Sequence, residues 1–257
     1  MQRETFVHAA GGINWYCERR GQGQTVVLVP SGEGDCASFE AVATALADTF
    51  TVLTFDTPGF SRSGAPADAA QISVATLGDQ VAALVRSLGI ERATFYGCSS
   101  GGRAVLDLAV RHADLIRSAV VHEVATTARG PLAEMVALDD AGVVQACKHA
   151  FGAVMNEDPV AWNNLGEAYH KRLERNYVTW VRRYVATIDS GPQLDAATLA
   201  GRPIVWTIGG LNPVAAFFSN VHLAFEARIP LGLLMCRHFP QVSMPTELAN
   251  HIRARAA

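Results

Sequence analysis

Short apolar runs recur along the chain, and segments with a helical spacing of apolar residues separate most of them. The runs are unbroken and rich in β-branched side chains, a pattern typical of strands buried on both faces of a parallel sheet. Strands that alternate with helices predict an open α/β sheet flanked by helices. The predicted strands are Val26–Val29, Val52–Phe55, Ala93–Tyr96, Ala119–Val121, Ile204–Ile208 and Gly232–Met235. The predicted helices are Phe39–Ala47, Leu77–Leu88, Arg103–His112, Phe217–Ala227 and Glu247–Arg255.

Two further segments near the N-terminus, Phe6–His8 and Ile13–Tyr16, are separated by Gly11 and Gly12. Short strand-like segments joined by a glycine pair predict an antiparallel hairpin. We place this hairpin at the edge of the sheet, so that the sheet as a whole is mostly parallel.

The alternation stops between Glu123 and Gly201, where the apolar spacing is helical throughout. The stretch is too long for a single crossover and lacks strands, so it predicts a helical cap inserted after the sixth strand. The expected division is residues 1–125 and 196–257 for the α/β core and residues 126–195 for the cap. The helices predicted within the cap are Pro131–Leu138, Ala141–Met155 and the long Pro159–Ile188.

The predicted cap carries more aromatic side chains than solvent-facing helices need. Any one of them can simply pack the interior of the cap, but as a group they predict an apolar pocket beneath it. These aromatic residues are Phe151, Trp162, Tyr169, Trp180 and Tyr184.

Composition limits the partners that the chain can have. The formal net charge is −3 and no run of Lys or Arg is present, which argues against nucleic acid. No apolar stretch approaches the ~18 residues of a membrane span, and residues 1–23 carry no signal-peptide core. The five cysteines lack the spacing of a metal site, and we expect them to be reduced thiols of a cytoplasmic protein. The sequence leaves open whether the chain forms a homodimer.

The segment Gly97–Gly101, which reads Gly-Cys-Ser-Ser-Gly, follows a predicted strand and precedes a predicted helix. In this context a Gly-x-Ser-x-Gly pattern is typical of the nucleophile elbow of α/β-hydrolases. The turn is so tight that the positions of the two glycines must lack side chains. It exposes Ser99 at a helix N-terminus, where developing negative charge is favoured. Ser99 is therefore the candidate nucleophile; a glycine-rich turn without chemical role is the alternative.

An unassisted serine is a weak nucleophile and needs a neighbouring base. Of the eight histidines, only His238 lies just beyond the last predicted strand, at the same carboxyl edge of the sheet as Ser99. Ligand sites of open α/β sheets form at that edge. The other histidines fall in the hairpin, in the cap, on outer helices or, for His122, on a strand. We therefore predict His238 as the general base.

The acid of the triad is harder to place. Many members of the fold carry it after the penultimate strand, but the loop Gly209–Pro213 contains no carboxylate. The preceding strand ends in Glu123 at the correct edge, and the order Ser, acid, His is kept. Glu123 is therefore predicted to orient and stabilise the imidazole of His238, and a carboxylate without catalytic role at the start of the cap is the alternative. Strand alternation predicts that His122 points away from Glu123.

The oxyanion hole of such an enzyme needs two backbone N–H donors. One is the N–H of Ser100, the residue after the nucleophile. The other is expected from the loop Pro30–Gly34 after the first parallel strand, with Gly32 as the predicted donor. The same glycine loop can also serve only to turn the chain into the next helix.

With these residues placed, the sequence resembles the fungal zearalenone lactonases, cytosolic hydrolases that open the macrocyclic ester of a resorcylic acid lactone. The resemblance covers nearly the whole chain, and the unusual position of Glu123 is its most diagnostic feature. The matching segments are Val26–Pro30, Phe55-Asp56, Pro58-Gly59, Ser61–Ser63, Gly97–Gly101, His122-Glu123, Asn176-Tyr177, Trp180, Gly232–Leu234 and His238–Pro240.

The resemblance implies that the cap binds the lactone and that Trp180 hydrogen-bonds to it or stacks on it. The chain departs from the family's pattern at Ser31, where the family carries Asp, at Ala125, which replaces Pro, and at Phe151, which replaces Met. These departures border the ligand and leave the reaction class untouched. The further residues placed at the pocket are Ser31, Leu132, Phe151, Tyr184, Phe217 and Phe239.

Together these features predict a lactonase that forms an acyl-enzyme on Ser99 and needs no metal or organic cofactor. The expected partner is a small hydrophobic lactone or ester. The triad is equally compatible with a carboxylesterase or a carbon–carbon bond hydrolase of this fold, and with a ligand receptor that retains its triad. An epoxide hydrolase or haloalkane dehalogenase is disfavoured, because those reactions call for a carboxylate at position 99.

Overall fold

The computed structural model describes residues 2–127, 130–189 and 193–256. Within these residues eight strands form one sheet. They are β1 (Glu4–Ala10), β2 (Ile13–Arg20), β3 (Thr25–Val29), β4 (Thr51–Phe55), β5 (Ala93–Cys98), β6 (Ile116–His122), β7 (Ile204–Gly209) and β8 (Leu231–Leu234). Their order across the sheet is β1-β2-β4-β3-β5-β6-β7-β8.

The predicted N-terminal hairpin and the mostly parallel sheet are both confirmed. β1 pairs with β2 and β2 with β4 in antiparallel register, and every other neighbouring pair is parallel. Gly11 and Gly12 form the hairpin turn with φ of 58° and 76°, values that glycine adopts at low cost. Because β3 to β8 all run in one direction, their carboxyl ends meet at one edge.

Helices cover both faces of this sheet, and further helices lie over its carboxyl edge. They are α1 (Glu40–Leu46), α2 (Val74–Ser87), α3 (Ser99–Arg111), α4 (Pro131–Val136), α5 (Asp140–His149), α6 (Pro159–Asn163), α7 (Glu167–Thr179), α8 (Ala196–Leu199), α9 (Phe218–Glu226), α10 (Pro240–Ser243) and α11 (Pro245–Ala256). On β3, Val26 and Leu28 pack in the apolar layer with α1 and α11, whereas Val27 and Val29 pack with α2 and α3. All four side chains are fully buried, as an unbroken apolar strand requires.

The helices α4 to α7 lie between β6 and β7, and we call described residues 130–189 the cap segment. The single long helix predicted over Pro159–Ile188 is wrong. Gly166, with a left-handed φ of 92°, separates α6 from α7, and α7 ends in a π-helical turn at Trp180–Tyr184. The apolar spacing continues across the break, so periodicity alone could not reveal it.

Side-chain hydrogen bonds explain where two of the cap helices begin. Asp139 accepts from the N–H of Gly142 at the start of α5, and Asp158 accepts from the N–H of Ala161 at the start of α6. Each bond satisfies a backbone donor that the first helical turn leaves unpaired. Among the helices that the structure describes, none is both long enough and apolar enough to cross a membrane.

Candidate active site

Ser99 lies at the junction between β5 and α3, at the carboxyl edge of the sheet. A Cβ atom on Gly97 would lie 2.4 Å from the carbonyl carbon of Gly101, and one on Gly101 would lie 2.4 Å from the carbonyl oxygen of Pro30. No real Cβ tolerates such contacts, so the turn requires glycine at both positions. Ser99 itself has a φ of 54°, the strained left-handed conformation expected at a nucleophile elbow. The sequence-based prediction of this turn is confirmed.

Glu123 and His238 are joined by a hydrogen bond although 115 residues separate them in the chain. The Oε2 atom of Glu123 lies 2.7 Å from Nδ1 of His238, and both side chains are buried. With a carboxylate on Nδ1, the neutral ring has its proton on that nitrogen and leaves Nε2 free to accept one. The geometry therefore suits His238 for general-base chemistry and Glu123 for the acid of a triad.

The second oxygen of Glu123 is held by two donors. Oε1 accepts from the backbone N–H of Gly209 at 2.7 Å and from Nδ2 of Asn212 at 2.6 Å. Gly209 ends β7 and Asn212 lies in the loop after it, where many members of the fold carry the acid itself. Sequence reasoning found no carboxylate in this loop and overlooked the amide of Asn212, which was the available signal.

The electrostatics of this pair follow from its contacts. Burial tends to raise the pKa of the Glu123 carboxyl, but the hydrogen bond and charge of His238 outweigh it, so the pKa lies below its usual value. Glu123 is therefore ionised at neutral pH. A buried carboxylate with three hydrogen bonds can stabilise a neighbouring imidazolium when one forms.

His122 does not point away from Glu123 as strand alternation predicts. Its Nε2 atom lies 3.8 Å from Oε2 of Glu123, and its Nδ1 atom lies 2.9 Å from the hydroxyl of Thr207. The reason is the left-handed φ of 42° at Glu123, which ends the extended backbone on which alternation depends. Burial lowers the pKa of His122 to about 4, so this ring is neutral at physiological pH.

The two predicted oxyanion donors both lie beside Trp180. The indole Nε1 of Trp180 donates to the hydroxyl of Ser100 at 3.0 Å. A Cβ atom on Gly32 would lie 2.6 Å from the same indole nitrogen, so the ring packs against the Gly32 backbone. Gly32 is needed here because any side chain would displace Trp180. Trp180, a residue of the cap segment, thus contacts both residues of the candidate oxyanion hole.

A cavity of about 680 Å³ lies between the cap segment and the sheet edge. Ser99, Glu123 and His238 all contribute to its wall. Most of the wall is apolar, and hydroxyls of Ser31, Thr126 and Thr127 are among its polar groups. The volume falls within the usual range for sites of small organic ligands. Of the residues placed at the pocket by resemblance, those that line this cavity are Ser31, Leu132, Phe151, Trp180 and Phe217.

Tyr184 and Phe239, also placed at the pocket, do not line the cavity. Tyr184 lies one turn beyond Trp180, where its ring packs edge-on against Phe60 at 5.5 Å. Phe239 stacks on Trp162 at 5.8 Å and contacts the ring of His238 edge-on at 5.0 Å. Phe239 also packs against the wall residue Phe151 at 5.3 Å and so supports the wall from behind, whereas Tyr184 packs against a residue outside the wall. The sequence could not separate wall from support, because both kinds of residue are aromatic and buried.

The comparisons with known proteins agree with this geometry. Residues 24–216 match the family model described as the alpha/beta hydrolase fold. A zearalenone hydrolase of Bionectria ochroleuca is 36% identical over 98% of this chain and 97% of its own length. Another zearalenone hydrolase, from Cladophialophora bantiana, is 36% identical over 94% of this chain and 92% of its own.

The fold also matches solved structures at lower identity. The enol-lactonase from Burkholderia xenovorans LB400 superposes with a TM-score of 0.76 at 21% identity, covering 97% of this chain and 98% of that one. At that identity the likeness shows the fold alone. The two zearalenone hydrolases, which align over nearly their whole length, support a more specific assignment. The chain is a hydrolase of the alpha/beta hydrolase fold and belongs to the zearalenone hydrolase family.

Proposed function

We propose that the chain hydrolyses the ester of a macrocyclic resorcylic acid lactone of the zearalenone type, through an acyl-enzyme on Ser99. The observation that carries this proposal is the 2.7 Å bond between Glu123 and His238 at the wall of a cavity that also contains Ser99. The two full-length relatives named zearalenone hydrolases support the substrate class.

The reaction begins with attack of Ser99 Oγ on the lactone carbonyl carbon, while His238 Nε2 takes the hydroxyl proton. The negative charge on the carbonyl oxygen is held by the N–H groups of Gly32 and Ser100. As the tetrahedral intermediate collapses, the ring ester oxygen leaves and takes the proton from His238. Ser99 then carries the acyl group, and the released alcohol remains tethered to it through the opened ring.

The second half of the reaction repeats the first with water as the nucleophile. His238 takes a proton from water as its oxygen attacks the acyl carbon, and then returns the proton to Ser99 Oγ as that bond breaks. The product is the open hydroxy acid. Throughout, the carboxylate of Glu123 stabilises the imidazolium of His238.

The cavity supports a bulky apolar substrate over a short polar one. Phe151, Trp180 and Phe217 contribute aromatic surface, and Leu132 adds an aliphatic wall. A macrolide fused to a resorcinol presents a large apolar face and few polar groups, which such a wall complements. The indole N–H of Trp180 is bound to the hydroxyl of Ser100, so a lactone oxygen would compete for that donor.

The division of the chain into a core of residues 1–125 and 196–257 and a cap of residues 126–195 is part of the proposal. It is supported by the position of α4 to α7 between two adjacent parallel strands, β6 and β7. We also propose a cytoplasmic enzyme, since its five cysteines are free and buried, as is usual for proteins of a reducing compartment.

The proposal is tested by incubating the purified protein with zearalenone, α-zearalenol and p-nitrophenyl esters and separating the products by chromatography. We expect repeated turnover of the lactones and a loss of kcat of about 10⁴-fold or more in Ser99→Ala, the scale for losing a triad nucleophile. Binding of the lactone to Ser99→Ala should persist.

Three outcomes would contradict the proposal. Turnover of Ser99→Ala within tenfold of the wild type would exclude the acyl-enzyme. Turnover of esters without lactones would leave a carboxylesterase. A single slow event per molecule, with no repeated turnover, would indicate a ligand receptor.

A further inference from the structure

Glu33 is a buried carboxyl group that the proposed mechanism does not use. It directly follows Gly32, and its side chain is only 1% exposed. Within the described part of the chain no group meets hydrogen-bond geometry with its Oε2 atom, and none of the ion pairs there includes it. Arg62 and Arg172, which lie near this loop, are bound to Asp35 instead. An unpaired buried carboxylate is costly, which favours the protonated form.

The contacts of Ser38 point to the same protonation state. Its hydroxyl oxygen lies 3.0 Å from Oε1 of Glu33 and 3.2 Å from the backbone carbonyl oxygen of Asp35. The hydroxyl has a single hydrogen, and a carbonyl can only accept. Both contacts are satisfied together when Ser38 donates to Asp35 and a proton on Glu33 donates to Ser38.

The surroundings of Glu33 agree with a neutral carboxyl. Burial raises its pKa above the usual value, and its own backbone N–H, the hydroxyls of Ser38 and Ser31 and the charge of His238 oppose this without cancelling it. The titratable groups whose electrostatics couple to Glu33 are His238, Tyr96 and Cys98 of β5, and Tyr169 and Tyr177 of α7. Burial raises the pKa values of these tyrosines and of Cys98, so they stay neutral at neutral pH.

The backbone of Glu33 ties the candidate oxyanion loop to the cap segment. Its carbonyl oxygen accepts from Nδ2 of Asn176 on α7 at 2.8 Å. Within the loop, the N–H of Gly34 donates to the carbonyl of Ser31 at 3.0 Å and closes a tight turn around Gly32. The Glu33 side chain supplies a further tie, through Ser38, to the short helical turn that follows the loop.

We propose that Glu33 is a positioning residue that acts as a neutral carboxylic acid and, through Ser38, holds the loop that carries the oxyanion donor of Gly32. This inference rests on the proposed function of that loop. A charged Glu33 would draw the single hydroxyl hydrogen of Ser38 away from the carbonyl oxygen of Asp35, and would place negative charge close to the developing oxyanion. The neutral form avoids both effects.

Two substitutions separate positioning from simple packing. In Glu33→Gln the amide keeps the shape, stays neutral and can donate to Ser38, so we expect kcat within ~3-fold of the wild type. Glu33→Leu fills similar space but cannot bond, and we expect kcat to fall ~10–100-fold with KM within twofold. That loss is smaller than the 10²–10³ for removing an oxyanion donor outright, since the donor is displaced rather than deleted. The melting temperature of Glu33→Leu should not fall.

The protonation state has a readout that needs no activity. Because the carboxyl of folded Glu33 keeps its proton above the ordinary pKa of 4.5, the wild type loses unfolding free energy as pH rises from about 4 through the pKa of the folded protein. Glu33→Gln lacks this loss. Its urea midpoint should therefore rise relative to the wild type between pH 4 and pH 8.

Glu40→Gln is the matched control. Glu40 is bound to Arg20, and this hydrogen bond lowers its pKa despite partial burial. The wild type therefore gains stability from Glu40 as pH rises, and the midpoint of Glu40→Gln should fall relative to the wild type over the same range. The two Glu→Gln variants thus have opposite predicted slopes.

Each outcome decides one part of the proposal. Parallel urea midpoints of the wild type and Glu33→Gln across this pH range would overturn the neutral acid. Wild-type kcat in Glu33→Leu, or equal losses in Glu33→Leu and Glu33→Gln, would overturn the positioning role. Failure of the proposed function shows separately, as retained turnover in Ser99→Ala, and leaves the stability comparison interpretable.

Discussion

The carboxyl edge of the sheet and the cap segment hold their functional side chains by different kinds of contact. At the edge, the carboxylate of Glu123 accepts three hydrogen bonds of 2.6–2.7 Å from Gly209, Asn212 and His238. These three residues lie at or just after the carboxyl ends of parallel strands. In the cap segment, the ring of Phe151 packs against Tyr177, Trp180 and Phe239 with centroids 5.0–5.3 Å apart. Hydrogen bonds are directional and fail when one partner changes, whereas ring packing tolerates replacement by groups of similar size.

This difference predicts which substitutions should affect all substrates and which should discriminate among them. Changes at the sheet edge alter the reacting groups and should lower kcat for every ester alike. Changes in the cap segment alter the surface that meets the ligand and should depend on ligand size.

Glu123→Gln should lower kcat by about 10²–10⁴-fold on lactones and short esters alike. The amide preserves the shape but removes the charge that stabilises the imidazolium of His238. Steady-state kinetics on both substrates measure the effect. Asp195→Asn is the control, because Asp195 is an exposed carboxylate that caps α8 by accepting from the N–H of Thr198. Near-wild-type activity in Glu123→Gln combined with an inactive Asp195→Asn would move the acid elsewhere.

Trp180→Ala should lower kcat/KM for zearalenone by about 100-fold or more, judged from the size of large-to-small losses at buried aromatic residues. Short p-nitrophenyl esters, which offer the indole a smaller apolar surface, should lose less than about fivefold. Trp180→Phe should fall between, since it keeps ring area and loses the N–H that now binds Ser100.

The melting temperature serves as the folding control for both Trp180 variants. Equal losses on the two substrates, together with a lowered melting temperature, would mean that Trp180 only packs the cap segment. The expected difference between substitutions at the sheet edge and substitutions in the cap segment would then not hold for Trp180.

Asn212→Ala should lower kcat by about tenfold, with the same factor on both substrates. The substitution removes one donor to the Glu123 carboxylate, and hydrogen bonds to charged groups contribute about 1.5–3 kcal/mol. Gly209 and His238 still hold the carboxylate, so the loss should stay well below that of Glu123→Gln. A substrate-dependent loss would assign Asn212 to the ligand surface instead.

The smallest effect concerns unfolding rather than catalysis. The pKa of folded Glu123 lies below its usual value, so its contribution to stability is present at neutral pH and is lost as pH falls through the folded pKa. Between pH 6 and pH 3, Glu123→Gln should therefore lose less unfolding free energy than the wild type. Glu174→Gln in the cap segment is the comparison: Glu174 is an exposed partner of Lys148, and its removal should change little.

Much of this fold could be predicted from the sequence because its signals are local. The strands are continuous apolar runs, and the elbow requires glycines at two fixed positions around Ser99. The same reasoning reached His238 and Glu123, since parallel strands bring their carboxyl ends to one edge. These predictions needed no knowledge of distant contacts.

The parts that sequence reasoning missed depend on single backbone conformations or on long-range contacts. One glycine, Gly166, divides the predicted long cap helix, although helical spacing continues on both sides of it. The left-handed backbone at Glu123 brings His122 to the carboxylate, against strand alternation. Asn212 contributes its amide because it lies across from β6 in space, 89 residues from Glu123 in the chain. The amide itself is visible in the sequence, but no local pattern encodes its contact with Glu123.

The left-handed φ of 54° at Ser99 has a consequence for laboratory evolution. A non-glycine residue in this conformation costs about 1–2 kcal/mol, and glycine would avoid most of that cost. A library screened only for heat resistance would therefore favour glycine at position 99 and enrich molecules that have lost the proposed nucleophile. Selection for thermal stability alone would eliminate hydrolytic activity, so any such screen has to measure hydrolysis in the same round.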